Sequence, residues 1–140
     1  MENFKKQLAE LKKLNLPKDK FAIFGSGPLA INGIRDSEDI DIIVKSDVWD
    51  ELAKKYPKEL EKEYSHLEKG KLIKIGEIEI YKNWEPWFDD VNLLIDDSDI
   101  FEGIRFVKLN YVLEWKKKYG REKDQKDVQL IEEYMEKARH

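Results

Sequence analysis

The sequence predicts an α+β domain that ends in a helical hairpin. Short apolar runs bounded by turn residues indicate buried strands, and apolar residues at helical spacing indicate a helix with one buried face. Both patterns occur, at these positions: strands at 20–24, 39–44 and 104–107, a helix at 3–14, and two helices at about 109–119 and 123–137. The alternation between the two patterns is typical of a mixed class rather than of an all-helical or all-β protein.

The chain has the length of one domain, with 140 residues of which 41% are hydrophobic. That size suffices to bury a core without cross-links. We expect a single domain over 1–140, with a core at about 18–108 and C-terminal helices at about 109–138. The absence of cysteine excludes a disulfide framework or a thiolate metal site, and the two histidines, His66 and His140, are too far apart to suggest a zinc centre.

The net charge of the chain limits which classes of partner we expect it to bind. A net charge of −4 and a pI near 5.4 argue against binding to nucleic acid through bulk charge. The sequence has no apolar stretch of membrane-spanning length and no signal-peptide pattern, so we expect a cytoplasmic protein. Charged residues make up 40% of the chain, a bias also found in heat-adapted proteins. Whether the protein forms a homo-oligomer stays open.

The remaining elements follow from local signals. Pro28 is suited to the first turn of a short helix that ends at Asn32-Gly33, and Ser46 is suited to cap a helix at 47–56. The segment 71–81 is either a hairpin or one strand bent at Gly76. Asp89 or Asp90 could cap a further short helix that ends near Ile95, and Gly120 separates the last two helices. Residues 57–70 remain unassigned.

The segment 39–44, Asp-Ile-Asp-Ile-Ile-Val, contains two acids that point to the same side of a strand. Residues i and i+2 of a strand lie roughly 6.5–7 Å apart, so Asp39 and Asp41 project together while Ile40 and Ile42 project to the other side. Like charges repel unless a cation lies between them, and Mg²⁺ prefers such oxygen ligands. The alternative is that both acids lie at the start of the strand and face solvent.

The turn Gly25-Ser26-Gly27-Pro28 follows the first strand directly. A glycine-rich turn that leads into a helix can bind phosphate through backbone N–H groups, and the Ser26 hydroxyl adds a donor. The alternative is an ordinary strand-to-helix turn. The segment also satisfies the GxGxxA dinucleotide fingerprint, but the next strand begins only nine residues after Ala30, which leaves no room for a full crossover helix.

Together, the two motifs resemble the signature of the nucleotidyltransferase superfamily, whose fold is that of DNA polymerase β. That signature is Gly-Ser, a spacer of about a dozen residues, and then Asp-apolar-Asp-apolar, as in GSGPLAINGIRDSEDIDI at 25–42. The sequence is most similar to the minimal, antitoxin-like members. Many of these have an arginine where this chain has Asn32, so a role for that arginine is not expected here.

The resemblance implies a mixed β-sheet flanked by helices. It places Gly25 and Ser26 on a triphosphate and Asp39 and Asp41 on divalent metal, Mg²⁺ or Mn²⁺. It also implies a third carboxylate on a neighbouring strand, for which Glu79 fits best and Glu77 is the alternative. Glu79 would otherwise be an exposed acid on an edge strand.

The resemblance extends to the C-terminal helices, where three basic residues, Lys116, Arg121 and Lys123, could approach the phosphates. Their alternative role is a solvated basic face with a salt bridge to Asp124. The aromatic residues Trp84, Trp87 and Phe88 are either a stacking platform, which the neighbouring Glu85, Asp89 and Asp90 disfavour, or residues that pack a loop onto the core.

Two functions are expected from this resemblance. In the first, the protein transfers a nucleoside monophosphate, AMP from ATP by default, to a hydroxyl of an unknown acceptor by a two-metal mechanism, with Asp39 and Asp41 on the metals and Glu79 as third ligand or base. In the second, the fold has weak or no catalysis and docks to a partner protein of toxin type. The sequence does not specify the acceptor.

Overall fold

The computed structural model describes residues 1–61, 72–84, 86–88 and 90–139. Within these residues the chain forms six helices and seven strands. In chain order they are α1 (Glu2–Lys13), β1 (Phe21–Phe24), α2 (Gly27–Ile31), β2 (Ile40–Val44), α3 (Ser46–Lys55), β3 (Leu60–Glu61), β4 (Leu72–Ile75), β5 (Ile78–Tyr81), α4 (Val91–Asp96), β6 (Ser98–Phe101), β7 (Ile104–Val107), α5 (Leu109–Tyr119) and α6 (Glu122–Ala138).

The seven strands form one mixed sheet in the order β3-β4-β5-β2-β1-β7-β6. At its centre, β1 and β2 are antiparallel, while each has its outer neighbour, β7 or β5, in parallel. Two antiparallel hairpins, β4–β5 and β6–β7, extend the sheet on either side. The predicted class, a mixed sheet with flanking helices and a C-terminal helical hairpin, is therefore confirmed.

Each face of the sheet has its own hydrophobic core. On one face, residues of α1 and α3 such as Leu11 and Leu52 pack against Ile40 and Ile42 of β2. On the other, residues of α4, α5 and α6 pack against Ile43 of the same strand. Because successive side chains of a strand point to opposite faces, this division also determines on which face the acids of β2 lie.

Most predicted elements are present with bounds shifted by one or two residues. The segment 71–81 is a hairpin rather than a bent strand, with Gly76 at φ +60° in its turn. Asp90 caps α4, because its Oδ1 accepts a hydrogen bond of 2.9 Å from the N–H of Asn92. Gly120 ends α5 with a left-handed backbone, φ +69°. The prediction that Ser46 caps α3 is wrong, because the helix already includes Ser46. The N-cap residue is Lys45, and its side chain makes no capping hydrogen bond.

The aromatic residues after β5 pack a loop onto the core, as one of the two alternatives predicted. The Trp84 ring is completely buried and stacks on Phe24 with ring centroids 4.6 Å apart, and it meets Trp115 edge-on at 5.1 Å. Phe88 lies 6.1 Å from the Phe24 ring. The cluster therefore packs against the end of β1 rather than offering a stacking platform.

Several predictions concern positions outside the described residues, namely His66, Glu85, Asp89, His140 and all of 57–70 beyond Glu61. Among the helices that are described, none has both the length and the apolar content needed to cross a bilayer.

Candidate functional site

Three acids lie on one face at the centre of the sheet. In the strand register, Asp41 of β2 is opposite Phe24 of β1 on one side and Glu79 of β5 on the other. Asp39 precedes β2 by one residue and so shares the side of Asp41. The intervening Ile40 is buried in the core on the opposite face. We call Asp39, Asp41 and Glu79 the acidic face; it lies on the side of the sheet that α5 and α6 cover.

Asp41 is the least satisfied acid of the three. Its Oδ1 atom is buried and has no hydrogen-bond partner among the described residues. Burial raises the pKa of Asp41 well above its ordinary value, and a hydrogen bond with Glu79 and the charges of Glu79 and Asp39 raise it further. The charged form of Asp41 is thus unfavourable unless a cation lies beside it.

Glu79 is only 7% exposed. Its Oε2 accepts a hydrogen bond of 3.0 Å from the Tyr81 hydroxyl, and its Oε1 lies 3.8 Å from Nζ of Lys74. The alternative of an exposed edge-strand acid is wrong, because β5 lies inside the sheet between β4 and β2. Glu77, by contrast, is exposed in the turn before β5 and accepts a bond of 3.2 Å from Gln7.

Asp39 is the exposed member of the acidic face. Partial burial of its carboxyl and the charge of Glu79 raise its pKa, although Lys74 acts in the opposite direction. Burial and neighbouring acids therefore disfavour the charged forms of both Asp39 and Asp41. This arrangement differs from the alternative of two acids that simply face solvent.

The turn after β1 fits closely against the acidic face. Gly25 has a left-handed backbone, φ +63°, and a Cβ at this position would overlap Oδ2 of Asp41. A Cβ at Gly27 would likewise overlap Cγ2 of Ile23. The Ser26 hydroxyl donates to the carbonyl of Asp39 at 3.2 Å and accepts from the N–H of Glu38 at 3.3 Å. The turn is therefore tied to the residues that begin β2.

A cavity of about 120 Å³ lies between the acidic face and the C-terminal helices. It brings together the predicted site residues, with Glu79 rather than its alternative Glu77. Its lining is Gly25, Ser26, Arg35, Glu38, Asp39, Asp41, Glu79, Trp115, Lys116, Arg121, Lys123 and Asp127. One wall is thus acidic and comes from the sheet, and the other carries the basic side chains.

The basic wall is held by a network of buried ion pairs. Both oxygens of Asp127 accept from Arg35, at 2.7 and 2.8 Å, and Asp127 also lies 2.9 Å from Nζ of Lys116. Asp124 accepts from Arg121 at 2.6 and 3.0 Å and lies 3.5 Å from Lys116. We call these five residues the ion-pair clamp. It joins the loop before β2 to α5 and α6.

The three basic residues predicted from the sequence occupy different environments. Lys116 is only 4% exposed and is engaged by Asp124 and Asp127. Arg121 pairs with Asp124, as the alternative role predicted, and its guanidinium lies 3.8 Å from the centre of the Tyr119 ring. Lys123 is exposed and forms no ion pair with any described residue.

Sequence reasoning missed four lining residues: Arg35, Glu38, Trp115 and Asp127. Glu38 and Arg35 lie in the spacer between the two motifs, where a charged residue is unremarkable. The Arg35–Asp127 pair spans 92 positions, so no local pattern could indicate it. The helical spacing of α6 did not indicate Asp127 either. Asp127 lies on the buried side of that helix, where an apolar residue is usually expected.

The donor set suits a hard divalent cation. Three carboxylates and a buried, unpartnered Asp41 oxygen are the ligands that Mg²⁺ or Mn²⁺ prefers. Among the described residues, no three Asp, Glu, His or Cys side chains form a ready-made metal site. Binding would require the carboxyls of Asp41 and Glu79 to give up their mutual hydrogen bond.

Comparison with known proteins identifies no family for this arrangement of residues. No protein-family model matches the chain, and neither a curated protein nor a solved structure matches it. The residues of the cavity and their chemistry are therefore the basis for a proposed function.

Proposed function

We propose that the protein is a metal-dependent nucleotidyltransferase that transfers a nucleoside monophosphate from an NTP to a hydroxyl group of an acceptor. One observation carries the proposal: a single cavity has an acidic wall opposite a basic wall. A divalent cation bound to a polyphosphate is complementary to these walls, because the cation would face the acidic wall and the phosphates would face the basic wall. ATP is the first substrate to test, with AMP as the transferred group.

On the acidic wall, Asp39, Asp41 and Glu79 would hold Mg²⁺ or Mn²⁺. The pKa values of Asp39 and Asp41 are raised, and a cation is favourable there because it stabilises charged carboxylates that otherwise repel one another. When bound, two such ions would neutralise charge at the attacking and leaving oxygens of a phosphoryl transfer.

The proposed transfer is a substitution at the α-phosphorus of the NTP. The acceptor oxygen forms a bond to that phosphorus, the bond to the oxygen that bridges to the β-phosphorus breaks, and pyrophosphate leaves. Glu79 would receive the proton of the acceptor hydroxyl. The Tyr81 hydroxyl, which donates to Glu79 at 3.0 Å, orients that carboxyl.

On the basic wall, Lys123 and Arg121 line the cavity and would contact a phosphate. Lys123 is exposed and has no competing described acid. Lys116 is buried, so its contribution is the positive field that it adds to the wall rather than a direct bond. Gly25 keeps the turn close to Asp41 and thereby allows a substrate phosphate to approach both.

The proposal is tested by a thermal-shift titration of the protein with each NTP, with and without Mg²⁺ or Mn²⁺. A ligand that binds only the folded state raises the melting temperature by mass action. We expect a shift that requires both metal and nucleotide and that is lost in Asp39→Asn and Asp41→Asn. Asp50→Asn, an exposed position of α3, is the matched control and should behave as the wild type.

Two further results complete this test. Incorporation of label from α-labelled ATP into an acceptor, with release of pyrophosphate, would establish transfer. If no NTP shifts the melting temperature under any metal condition, the transferase proposal is wrong. That result would favour the second function, a module with weak or no catalysis that docks to a partner protein of toxin type.

A further inference from the structure

Arg35 is a cavity residue with spare hydrogen-bond donors. Its Nε and Nη2 donate to the two oxygens of Asp127, and its Nη1 donates to the carbonyl of Asp36 at 2.8 Å. A guanidinium has five N–H donors, so about two remain after these bonds. The side chain is 27% exposed and lines the cavity, so these donors are accessible to a ligand.

The backbone that carries Arg35 is anchored on the far side of the sheet. Asp36 accepts hydrogen bonds from the N–H groups of Asn3 and Phe4, at 3.1 and 3.0 Å, in the first turn of α1. Asp36 also accepts from the N–H of Ser37 at 2.9 Å. The loop is therefore fixed from α1, while the Arg35 side chain is fixed from α6.

Asp127 determines the orientation of the guanidinium. Burial by itself would raise the pKa of Asp127, but hydrogen bonds from Arg35 and Lys116 and the charges of both lower it overall. Asp127 is therefore ionised at neutral pH. A two-point bond between a carboxylate and a guanidinium restricts the plane of the guanidinium as well as its position.

We propose that Arg35 binds the polyphosphate of the nucleotide and that Asp127 acts as its positioning residue. The inference rests on the proposed function, because the anion is taken to be the triphosphate of an NTP. Arginine is well suited to this role, since its planar fork can offer two parallel N–H donors to phosphate oxygens.

Arg35 is a better candidate than the other two members of the clamp that carry positive charge. Lys116 is buried and already lies between two carboxylates. Arg121 uses Nε and Nη2 on Asp124 and lies against the Tyr119 ring. Arg35 also stands four positions before Asp39, on the loop that delivers the acidic face. Through Asp127, the C-terminal helical hairpin thus becomes part of the nucleotide site.

The test measures the affinity of the protein for ATP and for inorganic tripolyphosphate, each with Mg²⁺, by titration calorimetry. Tripolyphosphate lacks base and sugar. A loss of affinity for both ligands therefore shows that the contact is with the phosphates. Arg35→Gln should weaken both about tenfold or more, the usual size of a charge-assisted bond. Arg105→Gln is the control, because Arg105 donates to Ser98 at 3.3 Å and does not line the cavity.

A double-mutant cycle separates positioning from a general effect on the fold. Asp127→Asn should weaken both ligands less than Arg35→Gln does, and the double variant should bind no worse than Arg35→Gln alone, because Asp127 acts through Arg35. If the two losses add, Asp127 does not act through Arg35 and that part of the inference is wrong. Circular dichroism of each variant verifies folding.

Should Arg35→Gln fail to fold, Arg35→Lys keeps the charge without the fork and should still lose affinity for both ligands. Wild-type affinity in that variant would contradict the inference. If Arg35 variants bind as the wild type while Asp41→Asn loses binding, the inference is wrong and the proposed function stands. If the wild type binds neither ligand, both are wrong.

Discussion

The acidic face and the ion-pair clamp lie opposite each other in one cavity, but they differ in how their charges are balanced. In the clamp, Asp127 and Asp124 are buried and each carboxylate is paired with two cationic side chains. In the acidic face, a buried oxygen of Asp41 has no hydrogen-bond partner in the described part of the chain, and two acids are its neighbours.

The difference indicates which part of the cavity is complete by itself. A satisfied network of buried charges holds its geometry without a ligand, whereas an unsatisfied one is unfavourable until something binds. The clamp therefore acts as a rigid wall, and the acidic face is the part that a cation would complete. Unsatisfied buried charges of this kind are characteristic of functional sites.

The largest effect is expected from removal of a clamp carboxylate. Asp127→Ala leaves Arg35 without its bidentate partner and Lys116 with only the longer contact to Asp124. We expect the free energy of unfolding to fall by about 3 kcal/mol, the lower end for a broken buried ion pair, as measured by urea denaturation. Asp96→Ala, which removes an exposed pair with Lys45, should cost less than about 1 kcal/mol. Equal losses in the two variants would mean that the clamp is no more than a surface network.

A smaller effect is expected where the turn meets the acidic face. Gly25 and Gly33 both have left-handed backbones, at φ +63° and +74°, but only a Cβ at Gly25 would meet another atom, Oδ2 of Asp41. Gly33→Ala should therefore cost about 1 kcal/mol, the penalty of the backbone conformation. Gly25→Ala should cost about 2 kcal/mol, because overlap adds about 1 kcal/mol to that penalty. Similar unfolding midpoints for the two variants would show that Gly25 is required for its backbone alone.

The smallest effect, a dependence of stability on pH, should have opposite signs in the two regions. The folded pKa of Asp41 is raised, so its contribution to stability is present below about pH 3.8 and is lost as the pH rises through that raised pKa. The folded pKa of Asp127 is lowered, so its contribution is present above about pH 3.8 and is lost as the pH falls through the lowered value.

Urea midpoints of the wild type, Asp41→Asn and Asp127→Asn, measured over a pH series without divalent metal, test these signs. The wild type should lose stability relative to Asp41→Asn as the pH rises, and relative to Asp127→Asn as the pH falls. Added Mg²⁺ should reduce the first difference and leave the second unchanged. Parallel curves for all three proteins would contradict the contrast between the two regions.

Local patterns were sufficient for most of the fold. The helices and the strands β1, β2, β5 and β7 are indicated by periodicity and turn residues, because these signals depend on neighbours a few positions away. Strands β3 and β6 were not predicted. Both are edge strands. β3 has only two residues and β6 exposes Asp99 and Ile100, so neither has a signal that identifies a strand.

By itself, the sequence determined the fold class, the common side of Asp39 and Asp41, and the closeness of the Gly25 turn to a strand end. These features follow from the two-residue period of a strand and from the freedom of glycine at positive φ. Only the tertiary structure decided that Glu79 rather than Glu77 enters the cavity, because that depends on the parallel register between β2 and β5. It also decided that Asp127 holds Arg35 across 92 positions, since such a pair exists only once α6 has packed over the sheet.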